Sequence, residues 1–535
     1  MTQIRYQLWY RIRRFYSKAL GRRFKFCALL ELAPIFLQEW ASKNTDCSKT
    51  SFTFLNRTKQ FDGVNSIDWS FSEYGMLWCY NLNYLDFLLQ SSISIEDRNE
   101  LLNSYLSKIE TNAIALSPYP ISLRNINLIK YTVVLLQSSL TDEEKQMQIK
   151  RINGNLYSTY RILQNNLEYH ILANHLLENA FSLLIGSVYL RDNELWGLSK
   201  SLIFQQLNEQ ILEDGGHYEL SPMYHQILLD RLLDCINILK HNSYFADSET
   251  VLQKLEKYAV RMLKWLNIIT FNNGGIPLLN DSSIGIAPAT SDLNQYAIRL
   301  NVISLQDVAR FKSAEQSKSL TDSGYRKFSN NLYECIVDVG AIGPSYQPGH
   351  AHADTFNFVL NVNDKPVIVD SGVSTYDSNV KRLRERGTSM HNTVSVNGLN
   401  SSGVWSSFRV AHRANVTITN ESRNFIEAKH DGYRALGATH QRGWSFTDNS
   451  IEIVDKVEGK GLPCQFNLLL SPKIIPKIQP NGIVELVFID LVFGNYSKIS
   501  IVKEAIPNGY NRYDETNRLV VEFADNLNTK ILIKK

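Results

Sequence analysis

The sequence is poor in cysteine, and its few cysteines form no pattern. Six are spread over 535 residues and none belongs to a CxxC pair, which excludes a zinc ribbon and a disulfide-rich scaffold. Reduced, buried thiols are the simplest interpretation. The HExxH motif of zinc proteases and the GxSxG motif of serine hydrolases are also absent, and this argues against both enzyme classes.

Long apolar stretches are missing as well. The apolar run of residues 26–37 is interrupted by Glu31 and Pro34. It therefore fits neither a signal peptide with a cleavage site nor a membrane-spanning segment. The compartment stays open between cytoplasm and periplasm, with the cytoplasm favoured, and the oligomeric state stays open too.

A strong excess of either charge is also lacking. The chain has 56 basic and 53 acidic residues, and this near balance argues against a dedicated nucleic-acid-binding protein. An anionic sugar remains compatible with the composition, because it needs only a local basic cleft. The 26 tyrosines suit sugar binding, since their rings pack on pyranose faces, although core packing is their more common use.

Basic residues are concentrated before residue 26, at Arg5, Arg11, Arg13, Arg14, Arg22, Arg23 and Lys25. We predict an N-terminal extension with helical content over residues 1–60. Its basic face is either simply solvated or part of an amphipathic helix that touches a membrane surface.

The length predicts two or three domains, because one hydrophobic core rarely serves so many residues. From about residue 80 to 310, apolar side chains recur at three- and four-residue spacing, which is typical of amphipathic helices. The predicted helices are Tyr84–Gln90, Asp97–Ile109, Leu128–Leu140, Glu143–Gln164, Ala173–Leu190, Leu195–Glu213, Pro222–Lys240 and Ser248–Ile269. Short breaks between them favour antiparallel helix hairpins, and we predict a helical domain over residues 61–320.

After about residue 325 the sequence changes to short segments rich in Val, Ile and Phe, separated by Gly, Asn, Asp and Pro. The predicted strands are Tyr333–Val339, Phe356–Val362, Pro366–Asp370, Asn392–Val396, Val416–Thr419, Ile451–Val457, Gln465–Leu470, Ile483–Ile489 and Leu519–Phe523. This pattern is typical of a β-sandwich. We therefore predict a second domain over residues 325–535 and an α+β multidomain fold.

Histidine and aspartate residues of the second half have the chemistry of metal ligands. In the segment His350-Ala-His352-Ala-Asp354, a strand conformation would place both histidines on the same side. Asp370 ends the next predicted strand, and His391 follows in a Met-His-Asn-Thr segment. Histidine and aspartate on neighbouring strands can bind zinc, whereas the alternative is a set of ordinary surface and turn histidines.

The helical half contributes three further clusters. An Asn174-His175 pair lies inside a predicted helix, and a segment Pro118–Arg124 is preceded by Trp78-Cys-Tyr-Asn81. The third cluster is an Asp-Gly-Gly turn that leads to Ser221-Pro222, a good helix start, and places Tyr224 in the first helical turn. Taken singly, each cluster also has a structural explanation.

Taken together, these clusters resemble the heparinase II/III-like family, which includes heparinase III and related alginate lyases. The shared features are the Asn-His pair, Ser-Pro-x-Tyr-His after an Asp-Gly turn, His-x-His-Ala-Asp, the following aspartate and His-Asn-Thr. The resemblance spans roughly residues 50–450. The segments Trp78–Tyr84 and Pro118–Arg124 are similar to those of members associated with polysaccharide biosynthesis. It implies an incomplete (α/α) toroid followed by an antiparallel β-sandwich, and a polysaccharide lyase that cleaves uronic-acid glycans by β-elimination.

The resemblance also implies catalytic roles. Elimination requires neutralisation of the uronate carboxylate, removal of the C5 proton and protonation of the leaving oxygen. Asn174 would neutralise the carboxylate, with His175 beside it as a donor or base. Tyr224 would be the general acid, and also a candidate base, and His350 would be the partner base.

Further roles concern the metal and the substrate. The resemblance assigns a structural zinc ion to His352, Asp370 and His391. The expected partner is an anionic uronic-acid polysaccharide or oligosaccharide, and its proposed contacts are Tyr80, Asn81, Arg124 and Arg386, with His440 and Arg442 as further candidates. Two other functions stay open at this point: a uronate C5-epimerase, and a non-catalytic glycan-binding protein of polysaccharide assembly.

Overall fold

The computed structural model describes residues 2–19, 26–32, 35, 37, 39–41, 46–313, 317–459 and 461–534. The chain forms two compact units. The first unit comprises Met1–Gln210, Leu228–Ala259 and Gln295–Val302. The second comprises Ile211–Ile227, Val260–Asn294 and Ile303–Lys535.

Helices dominate the chain up to residue 312, and a short helix lies further on. They are α1 Thr2–Ala19, α2 Met76–Tyr84, α3 Ile95–Lys108, α4 Pro118–Gln137, α5 Asp142–Gln164, α6 Ala173–Leu190, α7 Asn193–Gln210, α8 Pro222–His241, α9 Ser248–Ile269, α10 Thr290–Arg299, α11 Leu305–Lys312 and α12 Val380–Glu385. The bounds of α6 and α9 coincide with the predicted ones. The predicted helix Tyr84–Gln90 is instead a 3₁₀ turn, Asp86–Leu89.

Local signals explain where several helices begin. Thr141 and Glu144 form a reciprocal capping box at the start of α5, which satisfies backbone N–H groups that have no partner inside the helix. Proline at the first position of α4 follows Ser117 and suits a helix start because its missing N–H is not needed there. Within the first unit, α6 packs against α4, α5 and α7.

A small antiparallel sheet lies within the predicted N-terminal extension. It consists of β1 Asp46–Cys47, β2 Ser51–Phe54 and β3 Arg57–Gln60. The side chains of Phe52 and Phe54 are buried and contact the rings of Trp69 and Trp78. The sequence analysis predicted only helical content here, because strands this short carry too little alternation to be recognised.

Strands dominate the second unit. They are β4 Ser317–Leu320, β5 Tyr325–Ser329, β6 Tyr333–Asp338, β7 Phe358–Val362, β8 Lys365–Ile368, β9 Val394–Val396, β10 Gly403–Trp405, β11 Arg409–Ala411, β12 Val416–Ser422, β13 Phe425–His430, β14 Thr439–Phe446, β15 Ser450–Glu458, β16 Cys464–Leu469, β17 Lys477–Ile478, β18 Val484–Glu485, β19 Ile489–Gly494, β20 Lys498–Pro507, β21 Tyr513–Phe523 and β22 Asn526–Ile533.

These strands form antiparallel sheets that share one hydrophobic core. The strand orders are β4-β5-β6-β7-β8, β20-β21-β16-β9 and β12-β13-β14-β15-β22-β19-β18-β17, with β10-β11 as a separate hairpin. Side chains of all three larger sheets meet in the core, for example Phe358, Phe466 and Trp444. The alternation of buried and exposed residues along β15 places one face of its sheet against that core.

The predicted α+β multidomain fold is therefore confirmed: a helix-rich N-terminal region precedes antiparallel sheets. The domain limits 1–60, 61–320 and 325–535 stay predictions, while the packing assigns two segments of the helical half, Ile211–Ile227 and Val260–Asn294, to the unit that holds the sheets. Within the described part of the chain, no helix is both long enough and apolar enough to cross a membrane.

The strand conformation considered for residues 350–354 is not found, and one predicted strand is divided into two. Residues 350–354 form turns and irregular structure. The segment is held by hydrogen bonds to side chains and to the loop at residues 280–282, and not by backbone hydrogen bonds to a neighbouring strand. The predicted strand Ile483–Ile489 is two strands, β18 and β19, which pair with each other as a hairpin.

Candidate active site

Tyr224 lies in the second unit, just after a strained residue at the start of a helix. Leu220 adopts a left-handed backbone conformation with φ 58°, which costs energy for a leucine and is found most often at functional sites. The Ser221 hydroxyl then accepts a 3.4 Å hydrogen bond from the Tyr224 N–H. The chain is thereby turned into α8 with Tyr224 in the first turn, as the sequence predicted.

Tyr224 and His350 contact each other directly. Their rings stack with centroids 4.0 Å apart and an interplanar angle of 14°. The Tyr224 phenol oxygen lies 2.9 Å from that of Tyr376, and only 8% of Tyr224 is exposed. The structure thus brings together two of the four predicted catalytic residues.

The protonation state of Tyr224 follows from its surroundings. Burial raises the pKa of Tyr224 well above its usual value of 10.0, and a charge on Tyr510 would raise it further, while the hydrogen bond with Tyr376 lowers it in part. The phenol therefore carries its proton at neutral pH. A protonated phenol can donate to a leaving group, which fits the general-acid role better than the base role.

His350 is held by Glu219. Its Nδ1 atom lies 3.1 Å from Oε2 of the buried Glu219 carboxylate. A carboxylate accepts, so we assign the Nδ1 proton to this hydrogen bond, and in that tautomer Nε2 carries the lone pair that a base needs. His217 lies 3.8 Å from the same carboxylate oxygen, and burial lowers the pKa of His217 to about 4, which keeps it neutral.

A loop at residues 280–282 positions both histidines of the His-x-His segment. The Asp281 N–H donates to the His350 carbonyl over 3.1 Å, and the Asn280 side chain accepts from the His352 N–H over 3.0 Å. His352 Nε2 is also 2.8 Å from the Asp281 carboxylate. These contacts hold the segment in place without a strand.

Arg382 links this loop to the tyrosines. Its guanidinium binds both oxygens of Asp281, one of them over 2.7 Å, and lies 5.2 Å from the centroid of the Tyr376 ring. Burial alone would raise the pKa of Asp281, but Arg382 and His352 more than offset this and hold it below its usual value. The charge on Asp281 is therefore retained in a fully buried position.

The predicted zinc ligands lie close together. His391 Nδ1 is 2.7 Å from Asp370, and the His352 and His391 ring centroids are 5.3 Å apart. Nδ1 of His352 and Nε2 of His391 are buried without a hydrogen-bond partner among the described residues. Such nitrogens suit a metal ion, because an unsatisfied buried polar atom is costly.

The same residues do not form a finished three-ligand cluster. Asp370 is already engaged with His391 and with the Asn357 side chain. In residues 46–313, 317–459 and 461–534, no group of three or more His, Cys, Asp or Glu is arranged to hold a metal. The donor chemistry therefore fits zinc, whereas the position of Asp370 resembles that of a carboxylate that orients a histidine ligand.

Asn174 and His175 lie in the first unit, in the first turn of α6. Leu172 and Ala173 just before them have left-handed φ angles of 64° and 52°, so this helix, like α8, begins after a strained leucine. His175 Nδ1 is 3.0 Å from Glu168, and the His175 ring lies 4.4 Å from that of Tyr119. A shared site of Asn174 and His175 with Tyr224 and His350 stays a prediction.

The predicted sugar contacts in the first unit are only partly supported. Tyr80 is half-buried and keeps some exposure, so its role stays a prediction. The Asn81 amide donates to the Leu77 carbonyl of its own helix over 2.8 Å. Arg124 is fully buried and donates to the Tyr105 phenol and to the Ala115 carbonyl, both over 2.8 Å. The contacts of Asn81 and Arg124 show that both side chains are used in helix packing, and their contact with the substrate stays a prediction.

Three candidate sugar contacts of the second unit are also bound to groups inside the protein. Arg386 is fully buried and donates to the backbone carbonyls of Ala351 and Ser407. His440 and Arg442 are also fully buried, and both bind the Asp455 carboxylate on the neighbouring strand. These contacts favour a structural role for the three side chains, and a contact of any of them with a sugar stays a prediction.

Four residues of the site, Glu219, Asp281, Tyr376 and Arg382, were not predicted from the sequence. Glu219 belongs to the segment that runs from the Asp-Gly-Gly turn to Tyr224. Its closeness to Tyr224 in the sequence was therefore a usable signal. Asp281, Tyr376 and Arg382 lie in loops and a short helix without a distinctive spacing. Only the folded chain brings these three residues to the His-x-His segment.

Comparison with known proteins gives matches along most of the chain. The family model of the heparinase II/III N-terminus matches residues 109–302, and that of the heparinase II/III-like C-terminal domain matches residues 312–532. A heparin-sulfate lyase of Bacteroides stercoris is 23% identical over 312 residues, covering 54% of this chain and 44% of the relative. A heparin-sulfate lyase of Pedobacter heparinus is 23% identical over 248 residues, covering 42% and 36%. The aligned part thus spans less than half the length of these curated relatives.

Solved structures show a similar fold. A crystal structure of heparinase III superposes with a TM-score of 0.70 at 14% identity, covering 89% of this chain and 80% of that one. A mutant of heparan sulfate lyase HepC from Pedobacter heparinus gives a TM-score of 0.64 at 16% identity, covering 97% and 88%. At these identities the likeness concerns the fold alone.

Proposed function

Because the chain belongs to the heparinase II/III-like family, we propose that it is a polysaccharide lyase that cleaves uronic-acid-containing glycans by β-elimination. The observation that carries the proposal is the stacked pair of Tyr224 and His350, with a protonated phenol beside an oriented imidazole. The names of the two curated relatives, both heparin-sulfate lyases, support an anionic glycosaminoglycan as the substrate class.

In the proposed reaction His350 Nε2 takes the C5 proton of the uronate. The electron pair of the C5–H bond forms the C4–C5 double bond, the bond from C4 to the glycosidic oxygen breaks, and Tyr224 gives its proton to that oxygen. Negative charge accumulates on the uronate carboxylate during this step, so a donor is needed there. The resemblance assigns this donor to Asn174, with His175 beside it.

An absorbance screen tests the proposed activity. The chain is incubated with heparosan, heparan sulfate, alginate, hyaluronan and polyglucuronate, and the near-ultraviolet absorbance of the unsaturated uronate product is followed. We expect at least one of these polymers to yield this absorbance. If circular dichroism shows that the chain is folded and none of the five polymers yields product, lyase activity on this substrate class is contradicted.

Glu219 is proposed to position His350 in this reaction. Glu219→Ala removes the carboxylate that fixes the imidazole, so we expect kcat to fall by roughly 10- to 100-fold, a part of what a proton-transfer group contributes, with KM nearly unchanged. Glu219→Gln keeps an acceptor and should lose less. The control is Glu213→Ala, an exposed residue of the same segment. A rise in KM with an unchanged kcat would assign Glu219 to substrate binding instead.

We also propose a structural zinc ion held by His352 and His391, with Asp370 either as the third ligand or as the carboxylate that orients His391. Zinc bound there would fix the segment that carries His350, while the proton transfers belong to Tyr224 and His350. We expect about one zinc per chain by elemental analysis, most of it lost in His391→Ala and retained in the control His412→Ala, which alters an exposed histidine. A metal-free wild-type chain whose melting temperature is unchanged by added zinc would remove this assignment.

A further inference from the structure

Helix α1 is attached to the first unit by one of its faces. The rings of Tyr6 and Tyr169 stack with centroids 5.3 Å apart, and the Tyr10 ring stacks on His170 at 4.1 Å. Arg13 lies on the same face and donates to the Asn165 side chain over 3.0 Å. Positions 6, 10 and 13 recur with the helical period, so this face points towards residues 165–170.

A neighbouring face of the helix presents large apolar side chains to solvent. Leu8 is 59% exposed, and Trp9 and Ile12 are each 49% exposed. These positions are adjacent to or one helical turn from each other, so they form a continuous apolar strip. Arg13 also places its guanidinium 5.0 Å from the centroid of the Trp9 ring. An exposed apolar strip beside basic residues marks an interaction surface.

The N-terminal segment that contains this helix differs in charge from the rest of the chain. The first 30 residues contain eight basic residues, Arg5, Arg11, Arg13, Arg14, Lys18, Arg22, Arg23 and Lys25, and no acidic residue. The remaining chain has 48 of the 56 basic residues and all 53 acidic ones, a net charge of minus five by that difference. An anionic surface would therefore attract the N-terminal segment and repel the rest.

We propose that α1 binds the surface of a membrane rich in anionic lipids, with Leu8, Trp9 and Ile12 inserted among the lipids and the basic residues at the headgroups. Helices with a Trp- and Leu-bearing face and a basic flank bind membrane interfaces in this way, and clusters of four to eight Lys and Arg add attraction to anionic headgroups. A hydrated anionic glycan would not explain the strip, because it offers no apolar surface to leucine and isoleucine. The proposal does not rest on the lyase activity.

Vesicle sedimentation with the full chain tests the proposal. Vesicles of phosphatidylcholine alone are compared with vesicles that also contain phosphatidylglycerol. We expect binding to the anionic vesicles that is at least tenfold stronger than to the neutral ones and that weakens with added salt. The variant Leu8→Ser/Ile12→Ser should bind at least about tenfold more weakly, because it removes apolar side-chain area that the lipids would bury.

Matched variants separate the contributions. The control Ile475→Ser/Val487→Ser removes two exposed apolar side chains of the second unit and should leave vesicle binding unchanged. Arg5→Gln/Arg11→Gln should weaken binding to anionic vesicles by roughly tenfold and hardly alter the weak binding to neutral ones. Circular dichroism checks that each variant is folded.

Several outcomes would overturn the proposal. They are absence of vesicle binding, equal binding to both vesicle types, and unchanged binding of the Leu8→Ser/Ile12→Ser variant. A fourth is a loss of binding to immobilised heparosan in that variant while vesicle binding persists, which would make α1 a glycan-binding helix instead.

Discussion

Replacement of Tyr224 by phenylalanine is expected to lower turnover by about 10²- to 10⁴-fold, the range of a lost proton-transfer group, while the chain remains folded. The substitution removes one oxygen atom and keeps the ring that stacks on His350. The shape of the site is thus preserved, while the transferable proton and the hydrogen bond with Tyr376 are lost. The rate of appearance of unsaturated product from the best substrate of the screen measures the effect.

The matched control is Tyr433→Phe. Tyr433 is also buried, and its phenol donates to the Val394 carbonyl over 2.6 Å within the sheets of the second unit. Its replacement removes a buried hydrogen bond and should lower the stability by about 1 kcal/mol with turnover unchanged. Normal turnover of Tyr224→Phe, or an equal loss in both variants, would contradict the general-acid role of Tyr224.

Replacement of Arg442 by methionine is expected to destabilise the second unit by about 3–5 kcal/mol, because removing one member of a buried ion pair leaves the other charge without compensation. Arg442 binds both oxygens of Asp455, over 2.6 and 3.0 Å. It also donates to the carbonyls of Phe356 and Asn392, over 2.9 and 2.8 Å. Thermal or denaturant unfolding followed by circular dichroism measures the loss.

Two further variants isolate the cause. Arg434→Met removes an ion pair with Asp431 that is 3.2 Å long but exposed, and such pairs contribute about 0–1 kcal/mol. The double variant Arg442→Met/Asp455→Leu removes both buried charges and should recover part of the stability. If Arg442→Met unfolds like the wild type and only its KM for substrate rises, then Arg442 contacts the sugar, as the sequence analysis first predicted.

Much of the architecture could be predicted from local patterns. Helices such as α6 and α9 carry the helical period over many residues, and their bounds agree with the prediction. The start of α8 was also predictable, because Ser221-Pro222 is a local signal that fixes Tyr224 in the first turn. In each case the determining interactions lie within a few positions along the chain.

The parts that failed depend on distant residues. His350 and His352 are held by Glu219 and by the loop at residues 280–282, and no spacing in the sequence connects these segments. Arg386 was predicted as a sugar contact and Arg442 as a further candidate, and neither was expected to be buried, because arginine rarely is. Their burial depends on carbonyl and carboxylate partners that only the fold supplies.

The most direct test of the proposed elimination is the nuclear magnetic resonance spectrum of the glycan after incubation with the wild-type chain in deuterated water. We expect shortened products with a proton signal from a C4–C5 double bond, and none of them after incubation with Tyr224→Phe. An intact polymer that has taken up deuterium at C5 would contradict elimination and indicate an epimerase. An intact polymer without deuterium would exclude both reactions on that glycan.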